Sequence, residues 1–226
     1  MNKDKLIQSV PLFSDLNRPS VKKITERMVA RTYNKEQMIL VEESMGETFF
    51  ILSDGSVKIT RMSDDGREVI LAILGEGDFF GEMALLDGEG RSANVVALAD
   101  TEVLTLQRSD FLDILEQFPK IAIHLLKALT TRIRHSDQQI ESLSLSGAEQ
   151  RIAMVLIRLA EEMGQIKEGT VTIENIPFQQ DIANMAGTSR ETVSRVYKML
   201  EEKQYIVRQG KTLIIKEFTI FTRQFT

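Results

Sequence analysis

Glu82 and Arg91 stand nine positions apart in the stretch FFGEMALLDGEGRSANVVAL, residues 79–98, inside an otherwise apolar run. Gly88 and Gly90 lie between them, and apolar residues surround both. A carboxylate and a guanidinium are costly to bury unless each has a partner. Either the two pair with each other, or they pair with something the sequence does not contain.

A second constellation lies in QQDIANMAGTSRETVSRVYKML, residues 179–200. Ile182, Ala183 and Ala186 form the inner face of one predicted helix, and Val193, Val196 and Leu200 that of the next. Gly187 falls where a helix-turn-helix needs a residue tolerant of positive φ. Ser189 can cap the second helix, which leaves Arg190, Glu191, Thr192 and Arg195 projecting from its first turns. Those positions are the ones a recognition helix offers to a major groove. Arginine suits the O6 and N7 acceptors of guanine, and a carboxylate can accept from cytosine N4.

The elements that must hold these residues follow from pattern. Up to about residue 30 the spacing predicts short helices, with a turn around Asn17 to Pro19. From about Thr32, short runs (TFFIL, SVKIT, EVILAIL, NVVAL) alternate with turn signals at Ser53-Asp54-Gly55, Asp64-Asp65-Gly66 and Gly75-Glu76-Gly77, which predicts an antiparallel sandwich or barrel. Helix resumes after Arg108-Ser109-Asp110, the expected N-cap, and a long helix is predicted from Pro119 to Leu145. Along it Ala122, Leu126, Leu129, Ile133, Ser136, Ile140 and Leu143 alternate in steps of four and three, a coiled-coil seam of about three heptads. Ser146-Gly147 reads as a hinge between a unit 1–145 and a unit 146–226. In the second unit, helices followed by the hairpin IVRQGKTLIIKE, with Gln209-Gly210 at its tip, describe a winged helix-turn-helix. Glu161 to Thr170 reads as an exposed loop.

Composition narrows the chemistry. The chain of 226 residues is 42% hydrophobic and 27% charged, as in soluble globular proteins. No apolar run nears the roughly 20 residues of a membrane span, and the N-terminus lacks the apolar stretch of a signal peptide; the expected compartment is the cytoplasm. With no cysteine, thiolate metal sites, iron–sulfur clusters and thiol nucleophiles drop out. With only His124 and His135, a three-histidine metal site drops out too, and an enzyme on the β-domain would lack strand-borne ligands. The net charge is −5, but from Ala186 onward eight basic and four acidic residues give +4, leaving −9 for the rest. An acidic body with a basic end fits a protein that meets nucleic acid at one end.

These motifs carry a resemblance over nearly the whole chain. FGEMALLDGEGRSA resembles the phosphate-binding cassette of cyclic-nucleotide domains; TSRETVSRVYKMLEE and GKTLII resemble the recognition helix and wing of the Crp/Fnr transcription regulators, closest to the cAMP receptor protein branch. The resemblance implies an α+β architecture: an N-terminal β-roll, a dimerisation helix over about 119–145 and a C-terminal winged helix-turn-helix. It also implies a missing partner for the opening pair, the exocyclic phosphate of a 3′,5′-cyclic nucleotide on Arg91. Ser92 and the backbone of Gly81, Glu82, Met83 and Ala84 would assist, and Glu82 would accept from the ribose 2′-hydroxyl. Arg132 joins this set by the same resemblance, and Ser136 and Asp137 fall where the branch holds the adenine amino group. Asp137 could equally accept from guanine, which leaves cAMP and cGMP as candidate effectors. Gly90 departs from the proline that many such cassettes carry before the arginine. Gln179, Ser189, Arg190, Glu191, Thr192, Arg195 and Lys211 are the implied contacts to double-stranded operator DNA, and related activators touch RNA polymerase through the loop at 161–170. Haem, metal and iron–sulfur cofactors are not expected. A same-fold alternative binds DNA with no nucleotide or with another effector.

Overall fold

A computed structural model describes residues 3–225; Met1, Asn2 and Thr226, which open and close the sequence-predicted units, lie outside the described residues. The chain divides into two compact units, Met1–His135 and Ser136–Thr226.

In the first unit, α1 (Lys3–Ser9), a 3₁₀ turn (Pro11–Phe13) and α2 (Arg18–Thr25) precede the strands. Asn17 caps α2 by accepting from the Ser20 N–H at 3.0 Å, and Pro19 sits in the first turn, so the expected turn is a helix start. Eight strands follow: β1 (Val29–Tyr33), β2 (Met38–Leu40), β3 (Thr48–Asp54), β4 (Val57–Met62), β5 (Glu68–Leu74), β6 (Phe79–Phe80), β7 (Asn94–Ala97) and β8 (Thr101–Gln107), with α3 (Met83–Asp87) between β6 and β7. They form two antiparallel four-stranded sheets, ordered β1-β8-β3-β6 and β2-β7-β4-β5. The expected turns connect them, with Gly55, Gly66 and Gly77 all at positive φ.

The TFFIL run is continuous because β3 is buried on both faces. Period-two alternation sends Phe50 and Leu52 into a cluster between the sheets, with Val57, Phe80, Val95 and Val103. Phe49 and Ile51 go the other way, into a larger cluster with Ile7, Phe13, Ile24, Leu104, Phe111 and Ile114 from the helices and β8. Two helices follow, α4 (Arg108–Gln117) and α5 (Pro119–Leu145). The expected cap at 108–110 is corrected: Arg108 is already helical, Gln107 is the N-cap without a side-chain bond, and Asp110 instead accepts from Arg27 at 3.1 Å. Ile121 and Leu125 of α5 pack into the larger cluster, whereas Leu126, Ile133, Ile140 and Leu143 of the seam are exposed.

The second unit holds the C-terminal part of α5, then α6 (Ala148–Met163), β9 (Gln165–Lys167), β10 (Thr170–Ile173), α7 (Gln179–Ala186), α8 (Arg190–Glu202), β11 (Ile206–Gln209), β12 (Thr212–Ile215) and α9 (Phe218–Phe225). Ser146-Gly147 separates α5 from α6. The strands form one antiparallel sheet, β11-β12-β10-β9. The expected loop over 161–170 is corrected: its start belongs to α6, and Ile166 pairs with Val171 to make a β9–β10 hairpin. The helix α9 was not anticipated. Its Phe221 and Phe225 meet the Tyr205 ring edge-on, and Gln150 donates to the Phe225 carbonyl.

Candidate functional site

The cassette begins where β6 ends. Gly81 takes φ +82, Glu82 turns into the short α3, and Gly88 ends that helix in the left-handed region at φ +78. The N–H groups of Met83 and Ala84 belong to the first turn of α3, which no intrahelical carbonyl can satisfy. Gly90 is tight for a different reason: a Cβ there would lie 2.9 Å from the Glu43 carbonyl oxygen. The neighbouring segment is laced to it, with Arg91 N–H donating to Ser44 O at 3.0 Å and Glu43 N–H to Arg91 O at 2.8 Å.

Arg91 and Glu82 are both buried, at 5% and 3% exposure, yet they do not bond to each other. Arg91 Nη1 donates to Gly81 O at 2.6 Å and Nη2 to Thr48 O at 2.8 Å, with the Phe50 ring centroid 5.9 Å from Cζ. Gly46 lies against the guanidinium so closely that a Cβ would fall 2.0 Å from Nε. Among the described residues no carboxylate makes an ion pair with Arg91. Burial therefore pushes its pKa below the ordinary arginine value, and the more distant Glu82 charge offsets this only in part. Glu82 has its own cation: Arg132 Nη1 donates to Oε1 at 2.7 Å, while Arg132 Nη2 donates to Phe79 O at 2.6 Å and Cζ sits 4.5 Å from the Phe79 ring centroid. An ionised carboxylate has about four acceptor sites, so one Arg132 bond leaves Glu82 capacity for a hydroxyl donor.

Ser92 is exposed beside Arg91, and its hydroxyl donates to Met83 Sδ at 3.5 Å. Gly81, Glu82, Met83, Ala84, Arg91, Ser92 and Arg132 thus come together in the first unit. Ser136 and Asp137, on α5 but in the second unit, are both exposed. The sequence reading missed Gly46, which makes room for Arg91, Thr48, which acts through its carbonyl, and Phe79, which meets Arg132 with both carbonyl and ring.

In the second unit, Gly187 ends α7 in the left-handed region, at φ 59 and ψ 48. Ser189 is the N-cap of α8 and accepts from the Thr192 N–H at 3.2 Å. All six inner-face residues read from the sequence are buried, joined by Met185 and Tyr197. Arg190, Glu191 and Arg195 are exposed, Thr192 and Gln179 half-buried. The backbone N–H and the Ser189 hydroxyl hold the Glu191 carboxyl below the usual carboxylate range, assisted by Arg190, which keeps it an acceptor. The expected tip at Gln209-Gly210 is corrected: Gln209 belongs to β11 and pairs with Thr212, so Gly210 and Lys211 form the turn. Arg208 is engaged bidentately by Glu201, at 2.9 and 2.7 Å, while Lys211 is exposed. Among the described residues no group of three or more His, Asp or Glu could hold a metal, and no helix is long and apolar enough to cross a membrane.

Comparison with known proteins follows the same division. Residues 30–118 match the cyclic nucleotide-binding domain, and residues 150–219 the Crp-like helix-turn-helix domain. The chain is 36% identical over 200 residues to the cyclic AMP receptor protein of Thermus thermophilus, covering 88% of this chain and 89% of that protein. The chain belongs to the Crp/Fnr family of transcription regulators. It falls near the cAMP receptor protein branch, being also 33% identical over 184 residues to the cAMP-activated global transcriptional regulator CRP of Pasteurella multocida, with 81% of this chain and 88% of that one covered. Among solved structures, the catabolite activator protein of Thermus thermophilus matches at 33% identity with a TM-score of 0.55, over 94% of this chain and 97% of that one. A CooA mutant from Carboxydothermus hydrogenoformans shares the fold at a TM-score of 0.77 and 22% identity, over 90% of each chain. The family consists of transcription regulators, not enzymes, and the β-roll, long helix and winged helix-turn-helix are those of its fold.

Proposed function

We propose that this chain is a homodimeric transcription regulator switched by a 3′,5′-cyclic nucleotide, cAMP first and cGMP second, that reads a TGTGA-N6-TCACA-like palindrome. The observation that carries the effector reading is Arg91, a buried guanidinium whose hydrogen-bond partners are neutral carbonyls. A phosphate would supply the missing anion as a charge-assisted fork. Ser92 would turn its hydroxyl from Met83 to that phosphate, the α3 N–H groups would face it, and Glu82, steadied by Arg132, would accept from the ribose. Ser136 and Asp137 are the residues we assign to the base.

The dimer reading is supported by α5. Its inward stripe already serves its own domain, so the separate exposed stripe of Leu126, Ile133, Ile140 and Leu143 answers to another partner, and its heptad spacing suits a second copy. The operator reading is supported by the exposed Arg190, Glu191 and Arg195 on a capped helix; a twofold dimer would set two such helices about 34 Å apart in successive major grooves. A cytoplasmic site of action follows from that role, and contact with RNA polymerase if the regulator is an activator.

Calorimetric titration of the wild type and of Arg91→Leu with cAMP and cGMP tests the effector, followed by operator binding with each nucleotide and with none. We expect the wild type to bind cAMP and to bind the palindrome more tightly with it. Arg91→Leu should lose more than tenfold in nucleotide affinity, beyond about 1.4 kcal/mol, while remaining folded. Binding of cAMP by Arg91→Leu within about threefold of wild type would reject the cassette assignment.

A further inference from the structure

Arg208 of β11 donates to both carboxylate oxygens of Glu201 on α8, from Nε to Oε1 at 2.9 Å and from Nη2 to Oε2 at 2.7 Å. Its Cζ also lies 5.1 Å from the ring centroid of Tyr197, one turn earlier on the same helix. The Tyr197 hydroxyl is buried with no hydrogen-bond partner among the described residues, so what this residue offers Arg208 is the face of its ring. One guanidinium on the wing thus grips two successive turns of α8. Two neighbouring ion pairs are of another kind: Lys198–Glu202 and Lys203–Glu149 are single contacts at 3.9 Å between exposed side chains. Contacts of that sort contribute little. A bidentate fork whose planar guanidinium also lies over an aromatic ring fixes an orientation. Its hydrogen bonds hold the Glu201 carboxyl below the usual carboxylate range and raise Arg208 above its ordinary value, so both stay charged.

The place of this fork gives it a use. Tyr197 follows Arg195 by two positions on α8, and Lys211 follows Arg208 by three, at the turn of the wing. Phosphate contacts fix the register of a protein on the duplex, whereas base contacts specify the sequence. A register set by Lys211 serves Arg190 and Arg195 only if wing and helix keep a fixed angle, because a binding constellation must be held within about 0.5 Å and 10–20°. We infer that Glu201 and Arg208 are a pair of positioning residues that set sequence specificity by locking the recognition helix to the wing. This rests on the DNA-binding reading of the second unit and adds to it two residues that read no base.

The pair has a signature that neither charge nor packing alone would give. Arg208→Met removes a cation and keeps an apolar stem over Tyr197; Glu201→Gln removes an anion and keeps the shape. Beside a polyanion the first lowers sequence-independent affinity and the second raises it. The ratio of operator to scrambled affinity largely cancels that effect and retains the discrimination. In both variants this ratio should fall at least about fivefold, the low end of what one arginine–guanine fork contributes. Since the two residues act as one unit, the double variant should lose no more than either single variant.

The experiment begins by selecting an operator from a random-oligonucleotide library with full-length wild type and cAMP. Fluorescence anisotropy at one salt concentration then compares wild type, Glu201→Gln, Arg208→Met and the double variant on that operator and on its scrambled form. An unchanged ratio in both single variants overturns the proposal and leaves the fork a local ion pair. A fall in Arg208→Met alone overturns it in favour of a direct contact between Arg208 and DNA. A double variant that loses the product of the two single losses overturns it in favour of two separate roles. Urea unfolding accompanies each ratio, and Glu201→Gln should keep the wild-type midpoint; a lowered midpoint with an unchanged ratio assigns the fork to folding and overturns the proposal. A selected operator without a GTGA core is the failure of the palindrome reading, seen before any variant is made, and the ratio is then taken on the selected duplex. A wild type that selects no sequence ends the DNA-reading premise and this inference with it.

Discussion

Glu43 shows how the cassette is held at single-residue scale. Its φ of +63 places a non-glycine residue in the left-handed region, while its N–H donates to Arg91 O and its carbonyl faces Gly90. A side chain in that region costs about 1–2 kcal/mol, and glycine removes the cost while making the unfolded chain somewhat freer. Glu43→Gly should therefore raise unfolding stability by about 0.5–1 kcal/mol, read as a higher urea midpoint at unchanged slope, and leave cAMP affinity as it was. A lowered midpoint would show that the Glu43 side chain supports the cassette. At this scale the sequence revealed the charged groups and not their partners. Glu82 and Arg91 stand out because charges are rare in an apolar run. Thr48 and Gly81 serve Arg91 through carbonyls every residue possesses, Phe79 adds its ring to such a carbonyl for Arg132, and Gly46 serves Arg91 by lacking a side chain. No side-chain pattern marks such roles.

The helix α5 carries its information in two stripes. Ile121 and Leu125 bind it to the β-domain, joined by Leu129 of the seam, which is half-buried against the same cluster, while Leu126, Ile133 and Ile140 of the seam stand exposed at 63%, 61% and 63%. Glutamate at two seam positions would place like charges across a paired seam and remove two apolar contacts, with nothing lost from the domain's own core. Ile133→Glu/Ile140→Glu should sediment as a folded monomer where the wild type sediments as a dimer; a wild-type monomer, or a double variant that stays dimeric, would refute the seam. The heptad was legible because its apolar residues recur over several turns. Shorter elements were not. The strand β9 has three residues, and its pairing to β10 depends on contacts no local period reports. The helix α9 is built from FTIFTRQF, whose aromatic and β-branched residues favour strand locally. Packing of Phe221 and Phe225, one helical turn apart, against Tyr205 overrides that preference.

Across the whole molecule, the cyclic nucleotide-binding domain and the helix-turn-helix domain occupy separate stretches of chain, 30–118 and 150–219. A ligand at one can govern the other only through a difference in its affinity for two states of the protein. The α5 helix is the element common to both units, so we expect the nucleotide to bias its seam and the seam to bias the DNA-binding unit beyond Ser146-Gly147. Such a coupling is reciprocal: if cAMP tightens operator binding by some factor, operator must tighten cAMP binding by the same factor. Allosteric couplings of about 1–3 kcal/mol correspond to factors of roughly 5–150, well within reach of titration. The measurement pairs two experiments at one salt concentration, operator affinity with and without saturating cAMP, and cAMP affinity with and without saturating operator. The two ratios should agree, and each should exceed about five. A scrambled duplex of equal length controls for the ionic atmosphere, since binding an acidic polymer at the basic C-terminal segment can alter nucleotide affinity without any switch. Equal cAMP affinity on operator and in its absence, in a protein that binds both, would mean that nucleotide and DNA occupy the chain independently, and the switch would have to be abandoned while each site stood.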